Sequence, residues 1–286
     1  MRTSLYSVCL LIGSMIIVTS LQAQKSSADD STGLPGDNFS LQGALQMFQN
    51  ASSIEEFEKL INTQGNNVNN LDLNGDGEID YIRVIDKMDK GNHAFVLQVS
   101  VSETENQDIA VIELEKTGDT TAVLQIIGDE DIYGEQTIVE PGEGDGTDDN
   151  SMQNGNGPNN NYYNYDNPAV LVNVWFWPSV RFVYTPAYTA WTSPWRWHRY
   201  PGWWHPWRPL TVRVFHPLCN RYHRGFAVVH THRVLRAHAI YTPFRATSVF
   251  VRNRHGAAIN HFRATRTVIR KGPGGRVRGG GRGRRG

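Results

Sequence analysis

Asp72-Leu73-Asn74-Gly75-Asp76-Gly77-Glu78-Ile79-Asp80 places an oxygen-bearing side chain at every second position and a glycine where the chain must reverse. Asp72, Asn74 and Asp76 each offer a side-chain oxygen. Glu78 offers its backbone carbonyl, and Asp80 a further carboxylate, directly or through water. Hard oxygen donors at this spacing suit calcium in a structural role. A helix–loop–helix calcium site would also need a bidentate acid at position twelve, where this chain has Arg83. Binding is therefore expected at ~10⁻⁴–10⁻³ M, the range of extracellular modules. The competing reading is an Asn/Asp/Gly hairpin turn that holds no ion.

The second signal is basic and aromatic. All eight tryptophans fall between positions 175 and 207, interleaved with arginine. Trp195, Arg196, Trp197 and Arg199, followed by Trp203, Trp204, Trp207 and Arg208, alternate groups that stack with groups that fork onto phosphate, sulfate or carboxylate. Three readings compete: a membrane-interface surface, a surface for an anionic polymer or glycan, and an ordinary small core with a solvated basic face. The anionic-polymer reading is preferred, with anionic polysaccharide, lipid headgroups or extracellular DNA as partners. Nine of ten histidines lie in the same half. His230-Thr231-His232, with His238, His216 and His223 nearby, has zinc-ligand character. A catalytic zinc site usually adds a carboxylate, and the acids lie in the other half of the chain. Glu113 and Glu115 fall on alternating strand positions, as on a solvated sheet face. No nucleophile elbow or phosphate loop is present, so the chain reads as non-enzymatic. The alternative is a metal-dependent envelope enzyme built on His230 and His232.

These residues need elements to position them. Leu41, Ala44, Leu45 and Phe48 recur at helical spacing behind Ser40, and Ile54, Phe57, Leu60 and Ile61 do so behind a Ser52/Ser53–Glu55/Glu56 capping box. From Ile79 the period becomes two. Strands are expected over Ile79–Ile85, Ala94–Val101, Ile109–Leu114, Thr121–Ile127 and Thr137–Val139, with a hairpin turn at Thr117-Gly118-Asp119. Residues 40–140 thus read as an acidic α+β domain, a two-helix plus antiparallel β-meander unit carrying the calcium loop. An Asn/Gly/Asp-rich linker (141–167) leads to a Trp/Pro-rich basic region (168–223), in which Pro178, Pro186, Pro194, Pro201, Pro206 and Pro209 exclude a long helix. A His/Arg-rich region (224–270) and a disordered Gly/Arg tail (271–286) follow, so the C-terminal half is expected to be partly extended or disordered. Phe244-Arg245-Ala246-Thr247 is echoed at Phe262-Arg263-Ala264-Thr265.

Formal net charge is zero, with 28 basic and 28 acidic residues. That balance hides a division. Every acid lies between Asp29 and Asp166, beside six basic residues after the first two dozen positions, whereas residues 167–286 hold 21 basic residues and no acid. The halves carry about −22 and +21, which also permits self-association of one molecule's acidic half with another's basic half.

Arg2, the apolar run Leu5–Val18 and the Ala23 neighbourhood have the layout of a secretory signal peptide (1–23), with a tether at 24–39. After its removal no integral membrane segment remains and Cys219 is left unpaired, so a secreted, periplasmic or outer-envelope location is expected. The loop resembles the DxDxDG-type calcium loops of FG-GAP and VCBS-type extracellular repeats. The whole layout, from the signal peptide through Leu71–Val84 and the linker to the Trp/Pro/Arg-rich tail, resembles secreted Gram-negative proteins with a single such EF-hand-like loop. That resemblance implies an envelope or extracellular setting and no particular chemistry.

Overall fold

The computed structural model describes residues 31–142 and 171–271. The signal peptide, the first part of the tether, nearly all of the linker and nearly all of the tail lie outside the described residues. The two helices form where the apolar spacing puts them. In α1 (Leu41–Asn50) the Ser40 hydroxyl accepts from Gly43 N at 3.0 Å. In α2 (Ile54–Ile61) Ser53 accepts from Glu56 N, while the Glu56 carboxylate accepts from Ser52 N at 2.7 Å. Both caps satisfy donors that a helix N-terminus otherwise leaves open.

A meander follows: β1 (Ile82–Asp89), β2 (Asn92–Ser100), β3 (Asn106–Gly118) and β4 (Thr121–Gly128), then the turn α3 (Glu130–Tyr133) and β5 (Thr137–Pro141). The β3–β4 hairpin closes at Gly118 opposite Thr121, where the turn residues place it. In the C-terminal half come α4 (Pro178–Val183), α5 (Val212–Cys219), β6 (Phe226–Val229), α6 (Leu235–Tyr241) and α7 (Val249–Lys271). The fold is α+β, with seven α-helices among the described residues and a six-stranded antiparallel sheet in the order β1 to β6. None of these helices is long and apolar enough to cross a membrane.

The expected meander has a sixth strand, and it comes from the basic half. Pro141 pairs with Phe226 and Ile138 with Val229, so β6 continues the ladder beyond β5, whose outer edge would otherwise expose unpaired backbone groups. One sheet face packs on α1 and α2, with the Phe48 ring in contact with both Phe57 and Phe95. The opposite face has an apolar strip, Ala94, Val96, Val111, Ile127 and Ile138, under Tyr241 of α6. Beside it, on the same face, sit Gln98, Asp108, Glu113, Glu115, Gln125 and Glu140, all buried. Glu113 and Glu115 are therefore not on a solvated face: the C-terminal half covers them. Packing also extends to 31–39, where the Asp37 carboxylate accepts from Ser31 Oγ, Thr32 Oγ1 and Gly33 N, and Leu34 is buried.

The prolines of the Trp/Pro-rich region do confine it to short elements, α4 and α5 having six and eight residues. Beyond it lies a 23-residue helix, α7, that the His/Arg-rich composition did not announce. The Phe-Arg-Ala-Thr echo has no common conformation, since one copy starts in a 3₁₀ turn and the other lies within α7. Both arginines nevertheless reach the α3 turn. Arg245 forks onto Asp129 at 2.6 and 2.9 Å, and Arg263 donates to the carbonyls of Gly134 and Glu130.

Candidate functional site

The basic aromatic segment forms a strap, residues 191–210, laid along β1 and pinned at both ends. At its start Asp86 N donates to Trp191 O at 2.7 Å and Ser193 N to Val84 O at 3.0 Å, which covers the free edge of β1. Glu58 of α2 sits beneath this junction. Its carboxylate accepts from Tyr81 OH, Val84 N, Trp191 Nε1 and Ser193 Oγ at 2.8 to 3.2 Å, and burial pushes its pKa upward against those four donors. At the far end Ile79 N donates to Trp207 O at 2.8 Å, and Asn70 clasps both backbone groups of Leu210. Sequence reasoning singled out neither Glu58 nor Asn70. One charged residue on the inner stripe of an amphipathic helix was the available signal for Glu58.

Pinning sorts the tryptophans. Trp175, Trp177 and Trp191 pack against the core. Trp204 is also an inner residue, 4% exposed, held between Tyr81, Tyr200 and Trp207 with ring centroids 4.6 to 6.2 Å apart. It anchors the strap and does not present a contact surface, in contrast to its expected role. The other seven expected contact residues do reach the surface. Trp195, Trp197 and Trp207 are half-buried, and Trp203 is exposed with Lys59 Nζ 5.7 Å from its ring centroid. Arg196, Arg199 and Arg208 are exposed and form no salt bridge among the described residues.

Three arginines further along the chain are arranged differently, while Arg213, Arg224 and Arg252 form no salt bridge among the described residues. Arg233 pairs with Glu140 at 3.3 Å, Arg236 with Glu115 at 2.9 Å, and Arg245 with Asp129, Asp131 and Glu130. Glu115 also accepts from Arg236 N and Ala237 N at the start of α6, where the helix dipole favours a carboxylate. Asp108 forms no salt bridge among the described residues. It accepts from Gln98, Tyr241 OH and Ala246 N, and burial pushes its pKa up to about 6. The charge division of the sequence is thus partly resolved by pairing inside one molecule.

The ion loop adjoins the strap. Gly75 and Gly77 have φ of +77° and +84°, and a Cβ at Gly75 would collide with the Arg254 guanidinium lying against it. Asp72 accepts from Gly75 N and Gly77 N, and Asp76 from Glu78 N. Asp80 is buried and accepts from Leu73 N at 2.6 Å. Burial, reinforced by Asp72 and Asp76, pushes its pKa up to about 7. Burial is the larger cause and repulsion by Asp72 and Asp76 the smaller, and a dication in the loop would relieve that repulsion. Residues 79–81, expected to start the first strand, instead link this loop to the strap, and β1 begins at Ile82.

His230 and His232, on which the alternative enzyme reading is built, do not lie on a strand. Residues 230–234 are irregular, and His232 faces His238 of α6 across 4.4 Å. Next to the loop, a cleft of about 200 Å³ lies between the 31–38 segment, Asp72 and His255. That is below the ~300–1,000 Å³ usual for a small-molecule site. No family model, curated protein or solved structure matches this chain.

Proposed function

We propose that the chain is a non-enzymatic binding protein of the secreted or periplasmic envelope, whose strap engages an anionic polymer, an acidic polysaccharide in the first instance. One observation carries this reading: Arg196, Arg199 and Arg208 project beside half-buried indoles without an acidic partner, whereas Arg233, Arg236 and Arg245 are paired with carboxylates. Indoles on a pinned strap offer stacking faces at little ordering cost, and the guanidiniums beside them offer bidentate contacts. Self-association through opposite charge is a weaker reading, since part of that charge is matched within the chain.

Heparin, duplex DNA and anionic vesicles presented to the full chain at 0.3 M salt distinguish the polymers. At ~1 kcal/mol per basic contact, replacing Arg196, Arg199 and Arg208 together by alanine is expected to weaken heparin binding ~100-fold. Undiminished binding by that variant would sink the proposal. Stronger retention on DNA or vesicles than on heparin would replace the polysaccharide by that partner.

Calcium is proposed to bind the Asp72–Asp80 loop as a structural ion, held by Asp72, Asn74, Asp76, the Glu78 carbonyl and Asp80. At tenfold excess over its Kd it should add ~1.4 kcal/mol of stability, or ~3–6 °C in Tm. The folded-state pKa of Asp80 is raised above its unfolded value, so without calcium its protonated form stabilises the fold at low pH, and that contribution is lost as pH rises to about 7. The calcium-induced shift should therefore be larger at pH 8 than at pH 5. No shift at several millimolar, at either pH, would reject the site.

A further inference from the structure

Glu113 stands apart from the acids around it. Of the four buried carboxylates on the covered sheet face, Glu115 and Glu140 face arginines and Asp108 accepts from Gln98, Tyr241 OH and Ala246 N, while Glu113 meets two imidazoles. His232 Nε2 lies 2.5 Å from one carboxylate oxygen and His238 Nδ1 2.7 Å from the other. The three ligand-type atoms lie within 4.8 Å of one another. The carboxylate that the sequence reading found missing beside the histidines is supplied by β3.

We propose that His232 Nε2, His238 Nδ1 and the Glu113 carboxylate form a binding site for a divalent transition-metal ion of the zinc class, with a fourth position open to solvent. Two imidazoles and one carboxylate are a recurrent ligand set for zinc with one exchangeable position. Bonds of ~2.0–2.2 Å require donor atoms ~3.3–3.5 Å apart, so the side chains need to separate by less than ~1 Å. Each ligand is held from behind. Glu113 lies mid-strand between Ala94 and Gln125, fully buried. Gln125 also accepts from Arg233 N and donates to Thr231 O, bracketing His232, and Glu115 fixes the first turn of α6, which carries His238. Access is from one side only, since the His232 and His238 side chains are 18% and 30% exposed and that of Glu113 is closed off. The ion would fasten the 230–238 segment to β3, beside Glu115 and Glu140, which already face arginines.

The test uses the full chain, stripped with chelator and titrated with zinc sulfate against a chromophoric competitor at pH 7.5. One zinc per chain is expected. His232→Ala and His238→Ala should each weaken binding by at least ~10–100-fold, the loss that even an outer-shell change produces. His216→Ala with His223→Ala should bind as the parent does. Metal-free melting curves show whether the variants fold. Should they not, cobalt(II) added to the parent protein must give the visible absorption of a low-coordinate nitrogen/oxygen site. No zinc taken up by the parent, uptake unchanged in both histidine variants, or a cobalt spectrum identical to that of the aquo ion would each overturn the proposal.

Discussion

Replacement of Glu58 by alanine is expected to cost about 3–5 kcal/mol, a large part of the ~5–15 kcal/mol that holds a domain together. The change removes the acceptor of Tyr81 OH, Val84 N, Trp191 Nε1 and Ser193 Oγ, all in a buried junction between α2, β1 and the strap. Each buried donor left without a partner costs ~1–3 kcal/mol. The sum is reduced because the ionised carboxylate is itself held against burial, as its raised pKa shows. Glu58→Gln should be far milder, about 1 kcal/mol, because a Gln oxygen can keep Val84 N and Trp191 Nε1 while the two hydroxyls rotate to accept from its amide group. Urea denaturation of both variants gives the comparison. An alanine variant within 1 kcal/mol of the parent would mean that the strap is not fastened through Glu58.

A chain ending at residue 142 is expected to lose cooperative folding altogether. Truncation removes β6 and α6 from the second sheet face and exposes its apolar strip. It also strips the arginine partners from Glu115, Asp129 and Glu140. The first core loses Val174, Val180, Val183, Phe226 and Val251 at the same time. Uncompensated buried carboxylates together with lost apolar burial exceed the margin of a domain of this size. The truncated chain should show no sigmoidal urea transition. A cooperative transition near that of the full chain would show that the acidic half is independent.

Much of the acidic half was legible because its signals are local. Ser40 and Ser53 cap where their spacing to the apolar stripe says they should, and the period-two runs become β2 to β5 with small changes of boundary. The C-terminal half was not legible, because its structure depends on distant partners. Phe226–Val229 is too short to read as a strand alone and becomes one through the backbone of β5. Glu113 and Glu115 look like solvent-facing members of an alternating strand until His232, His238 and Arg236 cover them. In the loop, residue types at fixed spacing gave the ligand candidates. In the strap, they gave the surface groups but could not say that Trp204 turns inward, since that depends on Tyr81 and Tyr200.

The central claim is that the two oppositely charged halves form one core, leaving the strap as the outward-facing remainder. All eight tryptophans lie in the second half and five of the six strands in the first, so tryptophan fluorescence and the amide resonances of β1 to β5 report the halves separately. Unfolding of the full chain in urea, followed in parallel by tryptophan fluorescence and by the amide NMR resonances of β1 to β5, tests the claim most directly. A single pair of superimposable transitions is the predicted result. A fluorescence transition completed at a lower urea concentration, with the strand signal intact, would contradict it.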